Sequence, residues 1–250
     1  MDCPTLPLLA ILVLGLTGCR GSEPATEIQE SARSGQSLSV VTQADAIAAA
    51  PAHYRVLEEA GGARMLLATW QPGETDAMHS HPTVIWCALT DANLRIAGPG
   101  PPLVRAIAAG ENGVQGPVAG HAITNIGQNE ARILLFEIEP ESVSAAGFAA
   151  AAPAAELAGG DHQLLESHAG YRLLLAALQA EARSRLHSHP DLLWYALTDT
   201  DISFEAVGQS PTSFQALAGD HGQRAAIRAH TARNLATTSV RWLSLELGKR

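Results

Sequence analysis

Residues 79–91 read HSHPTVIWCALTD and residues 187–199 read HSHPDLLWYALTD, nine identities in thirteen positions at an offset of 108. The echo continues downstream, where His121-Ala-Ile-Thr-Asn125 is answered by His230-Thr-Ala-Arg-Asn234 at an offset of 109. The outer edges match too. Gly62-Ala-Arg64 answers Gly170-Tyr-Arg172, and Arg132-Ile-Leu-Leu-Phe-Glu137 answers Arg241-Trp-Leu-Ser-Leu-Glu246. A self-match of this extent means one structural unit used twice. Each copy is roughly 100 residues, long enough to bury a core of its own.

The units themselves read as all-β. Apolar runs such as Met65–Trp70, Val84–Leu89 and Ile133–Ile138 are strand-length. Gly61-Gly62, Pro72-Gly73 and the stretch Gly98–Pro102 punctuate them as turns. Closely spaced short strands of this kind argue for a sandwich or barrel. The expected organisation is a lead-in over 19–51, a first domain over 52–140, an alanine-rich linker over 141–160 and a second domain over 161–250. Within the lead-in, Gln43–Ala50 reads as a short helix that Pro51 stops.

Hydrophobic residues make up 46% of the chain and charged residues 16%, which excludes a disordered protein. The net charge is −9, Lys249 is the only lysine, and there is no basic cluster. Nucleic acid is therefore not an expected partner.

Six of the ten histidines belong to the repeated motifs. Residues two apart on a strand share a face. His79 therefore points with His81, and His187 with His189. His121 and His230 are the candidates to complete each set from a neighbouring strand. Three imidazoles in one cavity repel one another once protonated. A divalent cation relieves that conflict by taking the neutral lone pairs. Nitrogen ligands suit Fe, Mn, Zn, Ni or Cu and disfavour Ca and Mg. Three ligands also leave open coordination positions, the pattern of a reactive rather than a sealed site. The other histidines, His53, His162, His168 and His221, have no matched counterpart and read as surface or structural.

These motifs resemble the cupin superfamily, and the duplication resembles a bicupin. Gly73 stands five residues before His79, Pro82 and Pro190 follow the His-x-His pairs, and Pro117, Gly120, His121 and Asn125 fit the second cupin motif. The resemblance covers both units. It implies two double-stranded β-helix (jelly-roll) barrels in tandem, each with a metal in its mouth. Two departures stand out. The glutamate that usually follows the His-x-His pair is missing from both units, where Val84, Ile85 and Trp86, then Leu192, Leu193 and Trp194, occupy the region. The second unit also has Glu181, Ala226 and Ala229 where the first has glycine and proline signals, so its corners are expected to differ.

The N-terminus carries a separate message. Leu6–Leu16 is apolar and too short to span a bilayer comfortably, and it ends in Leu16-Thr17-Gly18-Cys19. This is similar to the signal peptide and lipobox of bacterial lipoproteins, although Met1–Thr5 lacks the usual positive residue. The resemblance implies that residues 1–18 are removed and Cys19 is lipidated. The protein would then be held on the periplasmic face of the cell envelope, at the outer membrane in a Gram-negative cell because Arg20 follows. Residues 20–41 are polar and read as its tether.

Weaker expectations attach to other matched pairs. Cys87 and Tyr195 share parity with the histidines and are candidates to line a cavity, with ordinary core packing the favoured alternative. Trp86 and Trp194 have opposite parity and are expected to pack between units or subunits. Asn125 and Asn234 are expected to orient a turn or a histidine. Arg64 and Arg172 serve as a substrate anchor or a rim ion pair. Three function classes fit: a metal-dependent enzyme of the dioxygenase kind acting on a small molecule, an envelope module that binds a metal or small ligand, and a structural bicupin with vestigial sites.

Overall fold

The computed structural model describes residues 43–139, 161–206 and 208–248. The signal-like segment with Cys19, the tether to residue 42 and the linker over 141–160 lie outside the described residues. All the described residues belong to one compact unit.

A short helix, α1 (Ala46–Ala49), opens the fold, with Asp45 capping it by accepting from the Ile47 and Ala48 amides. Barrel 1 then runs through β1 (Tyr54–Ala60), β2 (Ala63–Trp70), β3 (His79–His81), β4 (Thr83–Ala88) and β5 (Ala92–Ala97). It closes with β6 (Leu103–Ile107), β7 (Asn112–Gln115), β8 (Val118–Asn125) and β9 (Ala131–Ile138). Barrel 2 repeats the series as β10 (His162–His168), β11 (Tyr171–Leu178), β12 (His187–His189), β13 (Leu192–Ala196) and β14 (Thr200–Ala206). Its last strands are β15 (Thr212–Ala216), β16 (His221–Arg224), β17 (Ile227–Asn234) and β18 (Val240–Leu247).

Each barrel is two antiparallel sheets. In barrel 1 the orders are β1-β2-β9-β4-β7 and β3-β8-β5-β6; in barrel 2 they are β10-β11-β18-β13-β16 and β12-β17-β14-β15. The two topologies are identical strand for strand, so the altered corner residues of the second unit leave its architecture intact. Glu181 shows how. It keeps a left-handed φ of 59° at the position where Gly73 has 83°. A side chain in that region is strained by about 1 kcal/mol. The first hairpins agree as well. Gly61-Gly62 has φ values of 55° and 73°, and Ala169-Gly170 has 48° and 85°. Two positive φ values in a two-residue loop match the twist of the flanking strands.

The five-stranded sheets explain the unbroken apolar runs. One face of each joins a core shared between the barrels, with Met65, Ile85, Leu134 and Phe136 meeting Tyr171, Leu173, Leu193 and Leu245. The other face lines its own barrel, with Tyr54, Trp70, Val84 and Trp86 in the first and Leu178 and Val240 in the second. A sheet buried on both faces loses the polar alternation of a surface sheet. Polar contacts stitch the same seam: the Tyr171 hydroxyl lies 3.0 Å from the Gly62 carbonyl, and His221 Nδ1 lies 3.1 Å from Glu58 Oε1.

This arrangement corrects the parity argument. Cys87 and Tyr195 are buried in the shared core, while Trp86 packs inside barrel 1 and Trp194 lines the interior of barrel 2. The chain changes sheets between β3 and β4, at Pro82, and between β12 and β13. A face counted from the histidines does not carry across that break.

Candidate metal centres

In barrel 1 the register of β3 and β8 sets His79 opposite His121, and a bulge then brings His81 opposite Val118. His79 and His81 are buried. Their Nδ1 atoms are already committed. His79 donates to the Ala77 carbonyl at 2.7 Å, and His81 donates to Glu137 Oε1 at 2.7 Å. Neutral imidazole carries one proton, so both Nε2 atoms present bare lone pairs. Those lone pairs face each other at 2.9 Å, and His121 Nε2 also lies 2.9 Å from His79 Nε2. No second proton relieves His121, because burial and the neighbouring imidazoles push its pKa down to about 3. Burial lowers that of His79 as well. The separation is close to the roughly 3.0 Å between ligands at right angles around an ion with metal–nitrogen bonds of about 2.1 Å. The donor set therefore fits a transition metal.

Tyr54 from β1 completes this cluster. Its hydroxyl lies 3.0 Å from His79 Nε2 and 3.0 Å from Asp76 Oδ2, so one proton cannot serve both. Burial, then the Asp76 carboxylate, raise its pKa well above the usual phenol value. Asp76 also accepts from Trp70 Nε1 at 3.0 Å and from the Ile123 amide at 2.6 Å.

Barrel 2 rebuilds the frame with a different occupant. His187 Nδ1 donates to the Arg185 carbonyl at 2.7 Å, His189 Nδ1 to Glu246 Oε1 at 2.8 Å, and His230 Nδ1 to the Arg228 carbonyl at 3.0 Å. All three Nε2 atoms are thus bare. His162, on β10 where barrel 1 has Tyr54, adds a fourth ring. It stands 4.5 Å from the His187 ring, while the His187 and His230 rings are 4.3 Å apart. Neither His162 nitrogen has a hydrogen-bond partner, and the residue is 6% exposed. Burial and the surrounding imidazoles push the His162 pKa down to about 2 and those of His189 and His230 to about 3. The expectation that His162 is a surface or structural residue is thereby corrected: it is an orphaned, buried, neutral imidazole aimed at three others. In barrel 1 the nitrogens within 4.8 Å of one another are those of the expected set, His79, His81 and His121. In barrel 2 they are those of His162, His187 and His189, so His162 stands in the group where His230 was expected. The His230 ring lies beside it, 4.3 Å from that of His187.

The supporting residues differ in part from expectation. Asn125 and Asn234 do not touch the imidazoles; each ties a turn. Asn125 donates to the Trp70 and Asn129 carbonyls and accepts from the Gly127 amide. Asn234 donates to the Leu178, Gln179 and Thr238 carbonyls and accepts from the Ala236 amide. The carboxylates that fix the histidines are Glu137 and Glu246. Arg64 Nε holds Glu137 at 2.7 Å, and Arg172 Nε holds Glu246 at 2.9 Å. Arg64 also pairs with Asp45, which ties the lead-in to the site. Hydrogen-bonded carboxylates of this kind fix the tautomer and ring orientation of a metal-binding histidine. The glutamate missing from the first motif is thus not restored as a ligand. A different glutamate acts from behind.

A cavity open to solvent at its mouth adjoins the histidines of barrel 2. His187, His189 and His230 form one wall, with Trp194, Phe204 and Phe214 among the others.

No known family profile matches the chain, and no curated protein matches it. Solved structures do. An oxalate decarboxylase from Lactobacillus farciminis, in a formate complex, is 13% identical with a TM-score of 0.52, covering 80% of this chain and 86% of its own. A second oxalate decarboxylase, described for a structural element that modulates proton-coupled electron transfer, is 15% identical with a TM-score of 0.50, covering 75% and 69%. A single-residue variant of the Bacillus subtilis oxalate decarboxylase is 14% identical with a TM-score of 0.48, covering 75% and 69%. At such identities the likeness concerns architecture alone: the chain has the all-β bicupin fold, two double-stranded β-helix barrels in tandem.

Proposed function

We propose that this protein binds two transition-metal ions, one per barrel, and that the barrel-2 ion meets a small molecule. The observation that carries the reading is the pair of bare Nε2 atoms of His79 and His81, 2.9 Å apart with both Nδ1 protons committed elsewhere. Two facing lone pairs in a buried site are repulsive without a shared cation. His79, His81 and His121 hold the first ion, with the Tyr54 hydroxyl beside them. His162, His187 and His189 hold the second, with His230 as an added donor. Fe, Mn, Zn, Ni and Cu all suit imidazole.

A metal bound this way supplies Lewis acidity or redox capacity at an open position. The protein supplies orientation. Glu137 and Glu246 hold the rings, and the barrel-2 cavity has largely apolar walls. Turnover of the dioxygenase kind is the enzymatic form of this reading, and the cavity beside the histidines supports it. Its check is oxygen consumption by the iron-loaded protein with small-molecule substrates. Lipid attachment at Cys19 and an envelope location complete the proposal, checked by radioactive palmitate incorporation that Cys19→Ala abolishes.

The metal reading is tested by stripping the protein with chelator and reloading it with each of the five ions. The reading expects at least one ion to raise the melting temperature by several degrees, because binding to the folded state alone stabilises by about 2.7 kcal/mol at 100 times Kd. Unchanged melting with every ion contradicts it.

A further inference from the structure

Arg224 is the unexplained cation of barrel 2. It sits at the end of β16, half-buried in the cavity wall beside His189 and His230. Four arginines of the barrels are held by carboxylates: Arg64 by Glu137, Arg105 by Glu111, Arg172 by Glu246 and Arg183 by Glu205. Arg224 has no carboxylate partner among the described residues. Its guanidinium lies instead over the Phe204 ring, 4.3 Å from the centroid. A cation withdrawn from water without a counterion is costly. Here it also faces the imidazoles and the ion that they are proposed to hold. Everything charged at this end of the cavity is positive, because Glu246 lies behind His189 and is bonded to Arg172.

The remaining walls are flat and apolar. Trp194 meets Phe214 edge to face at 5.1 Å, Phe204 stands 6.1 Å from Phe214, and Phe204 stands 5.7 Å from His230. Trp242 lies on a further side. Such surfaces take a planar apolar group. One guanidinium fork, the only arginine or lysine among the cavity-lining residues, matches the two oxygens of a carboxylate.

Barrel 1 is built differently at each of these places. Strand pairing aligns Arg224, opposite Leu192, with Gln115, opposite Val84. It aligns Phe214, opposite Ile202, with Arg105, opposite Leu94. Arg105 covers Trp86 at 4.9 Å and is closed off by Glu111 at 2.7 Å. The anion-binding feature therefore belongs to barrel 2 alone.

We propose that the barrel-2 cavity binds a small carboxylate carrying a planar apolar group, with Arg224 gripping the carboxylate and the aromatic walls holding the rest. The inference rests on the reading of the barrel-2 histidines as a metal site that opens into this cavity. It adds the chemical class of the ligand.

The test is calorimetric titration of the metal-loaded full chain with benzoate, benzyl alcohol and acetate, with metal content measured on the same samples. Variants are Arg224→Gln, which installs the residue barrel 1 carries there, and Arg224→Lys. The proposal expects benzoate to bind more tightly than either benzyl alcohol or acetate. It expects Arg224→Gln to weaken benzoate at least tenfold, Arg224→Lys to recover part of that loss, and benzyl alcohol to be unaffected. Benzoate binding that ignores Arg224→Gln, acetate binding as tight as benzoate, or no benzoate binding to a fully metallated protein each overturns it. A chain without metal whose benzoate binding still follows Arg224 contradicts the metal reading and supports the carboxylate site.

Discussion

Barrel 1 and barrel 2 share every strand and the same histidine triad, yet their interiors diverge. Barrel 1 is filled. Tyr54, Trp70, Trp86, Ile123 and Ile133 pack together there with Ala46 and Ala50 from the lead-in. Barrel 2 has a smaller apolar cluster around Leu178, Ile202, Ala232 and Val240, and a cavity beside its histidines. Three matched substitutions underlie the contrast. His162 replaces Tyr54, Leu178 replaces Trp70, and Ser184 replaces Asp76. The last keeps one hydrogen bond, since Ser184 Oγ accepts from the Ala232 amide at 2.8 Å as Asp76 accepts from Ile123. The features common to both barrels are those that aim the histidines: the backbone carbonyls, Glu137 with Arg64, and Glu246 with Arg172. The duplicated frame holds the donors, and the variable filling decides what else reaches them.

The sharpest way to break this comparison is to remove the shared frame. Glu246 is fully buried between Arg172 and His189. Glu246→Ala removes the carboxylate between the buried Arg172 guanidinium and His189 and is expected to cost about 3–5 kcal/mol, read from urea unfolding. Glu246→Gln keeps the shape and is expected to weaken barrel-2 metal binding by about 10- to 100-fold. Glu137→Gln is expected to do the same in barrel 1. A loss confined to one barrel in both variants contradicts an equivalent role.

Acid probes both sites at once. His79, His121, His162, His187, His189 and His230 all have lowered pKa values in the folded chain. The unfolded chain takes up protons near pH 6.5 that the folded chain refuses. Their contribution is complete above that pH and is lost as pH falls toward the folded values, about 3 for His121, His189 and His230. Each group adds up to about 1.4 kcal/mol per pH unit to the slope. The metal-free protein is therefore expected to melt at sharply lower temperature between pH 6.5 and 4. A flat profile there contradicts the buried neutral imidazoles.

Exchanging the fourth group tests the contrast itself. In the copper(II)-loaded protein, His162→Tyr is expected to remove one nitrogen from the barrel-2 paramagnetic resonance signal. Barrel 1 should remain unchanged. Retention of the full nitrogen pattern means that His162 is not a donor. The smallest effect concerns the turn before β12. Glu181→Gly relieves the left-handed strain at φ 59° and is expected to stabilise by about 0.5–1 kcal/mol, observed as a rise of roughly 2 °C in melting temperature. A decrease shows that the Glu181 side chain has a role of its own.

The duplication and both His-x-His pairs are legible in the sequence because they repeat with little change; turn spacing and apolar runs give an all-β sandwich or barrel, and the motif resemblance narrows it to tandem barrels. What escapes is carried by residues that do not repeat. His162 looks solitary because its partner position holds Tyr54, and a donor gained in one copy only has no echo to find. Glu137 and Glu246 do echo. Their signal, a charged residue in an otherwise apolar strand, gains meaning only once the sheet is seen to be buried on both faces. Parity misplaces Cys87 and Trp194 because Pro82 and Pro190 mark a change of sheet that strand alternation cannot see. In the core, the Cys87 pKa is raised to about 11 by burial, so its thiol is inert there.

The most direct measurement is metal content by mass spectrometry on three samples of the full chain: the unaltered protein, His79→Ala/His81→Ala and His187→Ala/His189→Ala. Two independent sites predict about two equivalents of one transition metal in the first and about one in each variant. No metal in the folded, reconstituted protein, or the same content in all three samples, contradicts the two-centre account.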